Sequence, residues 1–521
     1  MCKRTCANNN MNDSSDNKRG GSMVKKTALV FAAAVLMLSA CGTEQKESGI
    51  IPDTGNKEPQ EAVAIFPKTD IALVGDTMPF YDNGVMNIFY LADQRDGKTG
   101  YHPWALFRTQ DYCTYEDAGI VLPYGETAED QDIALGTGCV IKDQNGKYHA
   151  FFTGHNDYRS PMEAVMHAVS DDMMNWEKIP GDTFIANEKY SLNDFRDPYV
   201  FWVPEENQYW MLVVTRSEGS GVIARYTSTD LSSWTDQGIF FEDDMGYGTN
   251  MECPTLLKYG DKWYLSFSDQ WPDRVVHYRI ADSYKGPFTK PEQDTFDGNG
   301  FYAGRMETDG ENLYIVGWNG TKIGHDDEND YDWAGNAVVH QLVQHSDGTL
   351  APVVNEKVAA KMSHEIKMTP AKMTETVKKA DDGYHFGGDL YELVQFDAFD
   401  ESGRIEADIS GFEDDDMFGI AFAPDIDNVG QLNFVFNIPE NRIEFYNTDS
   451  LIEADAQSYM DYDFTGKDSL HMNVFVYGGV ACLYLDDEVA LTARMYRSSG
   501  TNWQFFGINS PVQWDNVNIY N

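Results

Sequence analysis

FRDPYVFWVPEENQYWMLVVTR, residues 195–216, is the stretch on which the fold is decided. It opens on an acidic residue, Asp197, beside an apolar strand-like run. It turns near Asn207 and returns as a second strand rich in aromatic and β-branched residues. The same grammar recurs on both sides. VGDTMPFYDNGVMNIFYLAD (74–93), LGTGCVIKDQNGKYHAFFTG (135–154), MECPTLLKYGDKWYLSFSD (251–269) and FYAGRMETDGENLYIVGWNG (301–320) all read strand, turn, strand. The turns fall near Gly84, Gly146, Asn207, Gly260 and Gly310, a period of roughly fifty to sixty residues that suits one supersecondary unit repeated five times. Most copies continue into a second hairpin with an acidic turn and an aromatic residue: FRTQDYCTYEDAG, AVSDDMMNWEKIPG, YTSTDLSSWTDQG and a weaker IADSYKGPFTK. Four short strands per copy at this period predict an all-β fold, a five-bladed β-propeller over residues 68–352.

In such a ring the first strand of each blade lines the axis, so residues at its start surround one mouth. Asp76, Asp197 and Glu252 read as occupying the same place in copies one, three and four. Copies two and five present Leu135, Gly136 and Thr137, and Phe301, Tyr302 and Ala303, there. Most of the 84 Asp and Glu residues would merely solvate loops. Three in register, each beside a proline or an apolar strand, are read as a site.

At 521 residues the chain exceeds one ordinary domain. Its net charge of −45 argues against nucleic acid or an anionic membrane surface as partner and favours a neutral or cationic ligand. Residues 1–41 read as a leader ending in a lipoprotein-type signal. MVKKTALVFAAAVLMLSAC (23–41) has two lysines, an apolar run too short for a convincing span, and Leu38-Ser39-Ala40 before Cys41. Cys41 would carry the lipid anchor, placing the protein on a bacterial cell surface, with 42–67 as a flexible tether. Cysteines 113, 139, 253 and 482 show no disulfide or zinc spacing, and Cys253 reads as a small buried residue beside Glu252. No calcium-loop motif stands out, so no metal or other cofactor is expected. Residues 353–382 read as a connector, and 383–521 return to short strands that suggest a β-sandwich.

Carboxylates without a metal-ligand histidine cluster point towards glycosidic bond cleavage. One must hold a proton for the leaving oxygen, another must stay ionised, and a third can stabilise the positive transition state. Arg196 beside Asp197 favours an ionised carboxylate there. The apolar setting of Glu252, between Met251 and Cys253-Pro254, suits the acid.

FRDPYVF resembles the Arg-Asp-Pro motif, and MECPTL the Glu-Cys-Pro motif, of glycoside hydrolase family 32, the β-fructosidases. The likeness extends through YHPWALFRTQDYCTYEDAGIVLP, LGTGCVIKD, FYAGR, GW followed by WAG, and VYGGVACLYLDDEVALTARMY. It implies a divergent member releasing terminal β-D-fructofuranosyl residues from fructans or sucrose-type sugars, with retention. Asp76 would be the nucleophile, Glu252 the acid/base, and Asp197 the transition-state stabiliser with Arg196 beside it. Trp104 and Trp318 would line the fructose pocket, Leu135 and Gly136 would stand at its aromatic-hydroxyl pair, and Tyr302 would bind substrate. Gly75-Asp76-Thr77-Met78-Pro79 departs from the family's usual Asn-Asp-Pro-Asn-Gly, and Leu91 stands where many members have a pocket Gln. Two alternatives remain at this level: an inverting glycosidase of the family 43 type, and a non-catalytic glycan-binding surface lipoprotein. Trp176 and Trp234 read as blade core rather than sugar platforms. His102 and His155 are equally readable as pocket-mouth or structural residues.

Overall fold

The computed structural model describes residues 60–95, 102–270, 272–398, 402–424, 430–451 and 454–521. The leader, Cys41 and most of the tether expected over 42–67 lie outside them. The described chain is almost wholly β, with one short α-helix at Glu356–Lys361 capped by the Asn355 side chain.

Each of the five repeats begins with the expected hairpin. The first strands are Leu73–Asp82, Ala134–Lys142, Phe195–Val203, Met251–Tyr259 and Tyr302–Thr308, each pairing antiparallel with the strand that follows. The five anticipated turn residues all adopt positive φ: Gly84 (83°), Gly146 (88°), Asn207 (50°), Gly260 (58°) and Gly310 (91°). Left-handed backbone is what a tight hairpin turn demands, and Gly and Asn supply it at least cost. Repeats two and three complete four-stranded sheets, whereas repeat four stops at three strands. Its outer hairpin, the weak IADSYKGPFTK version, is reduced to isolated bridges such as Ile280–Thr289. Repeats one and five join in one nine-stranded sheet through the single pair Gly335–Val74.

The five first strands pack against one another in chain order, and that of repeat five returns to contact that of repeat one. Aromatic residues of the outer hairpins wedge between neighbours. Trp176 meets Phe89 of repeat one edge-on at 6.1 Å, and Trp234 meets Phe151 of repeat two at 5.5 Å. That packing accounts for both tryptophans as core.

Beyond the repeats, two seven-stranded antiparallel sheets face each other across one apolar core that includes Phe418, Phe434, Phe436, Trp503, Phe505 and Trp514. The segment read as a connector contributes edge strands Lys372–Met373 and Lys378–Lys379 to these sheets. Repeat and sandwich residues share a second apolar cluster, with Phe296 and Phe301 packed with Phe475 and Tyr484. Buried polar ties cross the same junction. Asp297 accepts from the Thr492 N–H and lies 3.1 Å from His340, and Arg494 donates to the carbonyls of Asn319 and Gly320.

Candidate active site

A β-bulge sits near the start of every first strand. The register slips by one residue between Gly75 and Thr77, Leu135 and Gly138, Arg196 and Tyr199, Glu252 and Thr255, and Tyr302 and Arg305. Bulges re-aim side chains and sharpen the local twist, so the five together present their residues to one region. Aligning the bulges corrects the sequence reading. Asp197 lies inside its bulge, in step with Cys253, whereas Glu252 precedes its bulge and is in step with Arg196. The acids of copies three and four are therefore offset by one residue. Asp197 and Cys253 share left-handed backbone, φ 56° and 53°, as does Ala303 of repeat five at 53°; for non-glycine residues this is strained geometry.

The three acids meet different partners. Asp76 accepts from the Thr137 hydroxyl at 2.6 Å and from the Trp318 indole N–H at 3.1 Å, one on each carboxylate oxygen. Glu252 accepts on Oε1 from Arg196 Nη2 at 2.9 Å and Gln270 Nε2 at 3.1 Å, while the Tyr302 hydroxyl lies 2.8 Å from Oε2. Asp197 is 4% exposed. Its Oδ2 accepts from the Cys253 N–H at 3.1 Å, and its own N–H donates to Thr153 Oγ1 at 2.9 Å.

One electrostatic expectation is reversed and a second is qualified. The apolar setting anticipated for Glu252 belongs instead to Asp197, because the bulge turns Asp197 inward. Arg196 does favour the ionised form of its neighbour Asp197, but its hydrogen bonds go to other carboxylates. It bonds Glu252 and Asp194 (Nη1 to Oδ1, 3.0 Å), with Glu163 at 3.5 Å. Burial pushes the Asp197 carboxyl up to about 7. Arg196 opposes this, Glu252 and Asp76 add to it, and Arg305 opposes it again.

Of the pocket residues expected from sequence, Trp318 reaches the acids and Tyr302 does so through its hydroxyl. Trp104 does not line an open pocket. It is fully buried between Phe89 and Phe152, and its indole N–H supports the Gly136 carbonyl at 3.0 Å. Leu135 and Gly136 are buried as well, Leu135 donating its N–H to the His102 carbonyl. His155 lies 3.7 Å from Glu163, which also neighbours Arg196.

Thr137, placed at the mouth by sequence, bonds Asp76, whereas Gln270, Asp194, Glu163 and, above all, Trp333 were not found from sequence. The Trp333 ring lies across Gly75, where an added Cβ would fall 2.4 Å from its Cζ2. It meets Trp318 edge-on at 6.1 Å and His102 at 4.4 Å. Arg95, ion-paired with Asp93 and Asp332, bonds the Trp333 carbonyl and holds the start of the strand Tyr331–Gln344. WAG in the sequence carried the only signal for it. A half-buried aromatic beside a carboxylate is suited to a sugar ring, which offers a C–H face and hydroxyl edges. A cavity of about 360 Å³ runs along the first strands of repeats one, two, three and five but includes none of the three acids in its lining.

Residues 76–352 match the model of the glycosyl hydrolases family 32 N-terminal domain. The levanbiose-producing levanase of Geobacillus stearothermophilus is 25% identical over 281 residues, covering 50% of this chain and 66% of that protein. The sucrose-6-phosphate hydrolase of Escherichia coli is 29% identical over 175 residues, 32% of this chain and 35% of that protein. The chain thus spans less than two thirds of the length of these curated relatives. Among solved structures, sucrose-6-phosphate hydrolase from Lactobacillus gasseri aligns with a TM-score of 0.68 at 19% identity, covering 89% of this chain and 93% of that one. Exo-inulinase from Aspergillus awamori gives 0.67 at 16% identity, covering 88% and 98%. Both are likenesses of fold.

Proposed function

The chain belongs to glycosyl hydrolase family 32, and on that premise we propose that it releases terminal β-D-fructofuranosyl residues from fructans or sucrose-type sugars with retention of configuration. The proposed scaffold is a five-bladed β-propeller followed by a β-sandwich; the cyclic packing of the five first strands supports it. Relatives named for levan and for sucrose 6-phosphate support a fructosyl substrate.

In this mechanism Asp76 attacks the anomeric carbon while Glu252 protonates the departing oxygen, leaving a fructosyl ester on Asp76. Water then attacks that carbon and gives its proton to Glu252, restoring both groups. Asp197, ionised, faces the positive charge that develops on the ring; in a desolvated site such a charge acts strongly. The alternating proton on Glu252 needs a surrounding that satisfies both states. Tyr302 provides it: its hydroxyl lies 2.8 Å from Glu252 Oε2 and 3.2 Å from the Asp269 carbonyl. When Glu252 is ionised, Tyr302 donates to it. When Glu252 is protonated, Tyr302 turns its hydrogen to the Asp269 carbonyl, and its oxygen accepts a hydrogen bond from the carboxyl. This two-way hydroxyl is the observation that carries the acid/base assignment.

A panel of sucrose, inulin, levan and an arabinan, scored for released sugar, tests the reading. Fructose from at least one fructoside is expected; arabinose release without fructose would overturn it. Lipid anchoring at Cys41 is proposed from the sequence of residues 23–41 alone. Mass spectrometry of the mature N-terminus should find an acylated Cys41, and an unmodified N-terminus upstream of it would contradict this.

A further inference from the structure

Behind Asp197 lies a charge that the proposed mechanism leaves unused. Arg305, in the first strand of repeat five, is 2% exposed. No carboxylate lies within ion-pair distance of it among the described residues, and its Nε has no hydrogen-bond partner. The guanidinium sits over the Tyr199 ring at 5.9 Å, but a buried cation with no paired carboxylate is costly, so its retention calls for a reason. Its contacts supply one. Nη1 donates to the Pro254 carbonyl at 2.9 Å, and Nη2 lies 3.5 Å from the Asp197 carbonyl. Those two carbonyls belong to the bulges of repeats four and three, the backbone segments that carry Glu252 and Asp197. Arg305 itself follows the bulge of repeat five. One guanidinium thus ties three bulges together. Arg305 also lines a cavity together with Met78, Gly138, Cys139 and Tyr199.

We propose that Arg305 is a positioning residue that fixes the spacing of the Asp197 and Glu252 bulges and supplies the buried counter-charge beneath Asp197. This rests on the functional reading above. The groups facing Asp197 are Arg196 on its own strand, Asp76 from repeat one, Glu252 and the Cys253 thiol from repeat four, and Arg305 from repeat five, with the Thr153 hydroxyl on its N–H. Arg196 is shared among Glu252, Asp194 and Glu163. Arg305 is not shared with another carboxylate at bonding distance.

The test compares Arg305→Met and Arg305→Lys with the unmodified protein. Two readouts are used: the pH profile of fructose release, and the titration of the Asp197 carboxyl carbon by ¹³C NMR, assigned through Asp197→Asn. Arg305→Met should raise the Asp197 titration midpoint by about one pH unit and move the acid limb of kcat upward with it. It should also lower kcat roughly tenfold to a hundredfold with a smaller change in KM, because the reacting groups lose their alignment. Arg305→Lys, which keeps the charge but not the fork, should restore the midpoint and only part of kcat. Midpoint and acid limb unmoved in a folded Arg305→Met would overturn the inference. If Arg305→Met does not fold, Arg305→Lys decides, and wild-type kcat in it would count against the tie between bulges. If the unmodified protein released no fructose, the function would fail while the NMR midpoint still judged Arg305.

Discussion

In the proposed mechanism Glu252 and Tyr302 form the pair on which acid–base chemistry depends. Glu252→Gln should lower kcat for sucrose or levan by about a thousandfold or more, in steady-state assays. Tyr302→Phe removes only the two-way hydroxyl, so kcat should fall roughly tenfold with KM little changed; an unchanged kcat would remove Tyr302 from the proton exchange. Asp197 gives the pH dependence. Its carboxyl is raised to about 7 chiefly by burial, and its proposed role needs the ionised form, so activity should fall as pH drops below about 7. The consequence for stability has the opposite sense. Between the ordinary aspartate range and about 7 the folded chain holds a proton that the unfolded chain has lost, so this group's contribution weakens as pH rises through that window. Asp197→Asn should therefore be inactive yet melt higher than the unmodified protein at pH 8, by about 2 °C, in calorimetry. The same melting temperature at pH 8 and a smaller difference at pH 4 than at pH 8 are separable results, and only the first counts against the burial argument.

The repeated hairpin was legible because its signals are local. Gly84, Gly146, Asn207, Gly260 and Gly310 announce turns that need left-handed backbone, and all five adopt it. The bulges were not legible, because an extra residue in one strand shows only against its partner. That single slip explains the main errors of reading. It puts Asp197 in step with Cys253 instead of Glu252, and it reverses which acid is buried. Trp104 was misread for a related reason: its place in the chain is right, but the ring points into the packing between Phe89 and Phe152. Trp333 escaped because its relation to Asp76 spans the closure between repeats five and one. Gly75→Ala tests that relation. A Cβ there would drive into the Trp333 ring, so KM for fructosides should rise about tenfold while the far-ultraviolet circular dichroism stays unchanged. An unaltered KM would mean that Trp333 does not contact the sugar.

At the scale of the molecule, repeats and sandwich are bound by a shared apolar cluster and by buried polar ties through Asp297, His340, Thr492 and Arg494. A chain truncated after Val353 would expose Phe296 and Phe301 and leave the carbonyls of Asn319 and Gly320 without Arg494. It should be recovered as aggregate in size-exclusion chromatography, and a soluble monomer with the full chain's melting temperature would show the halves to be independent. The central claim concerns what the mutual packing of the five first strands achieves in the proposed function: three acids from three repeats acting on one fructosyl bond through an ester on Asp76. The most direct measurement is the anomeric configuration of the product, read by NMR after reaction of a β-fructoside in methanol-containing buffer. Methyl β-D-fructofuranoside, formed with retention and lost in Asp76→Asn, is the predicted result. The α anomer, or transfer that persists undiminished in Asp76→Asn, would contradict the account.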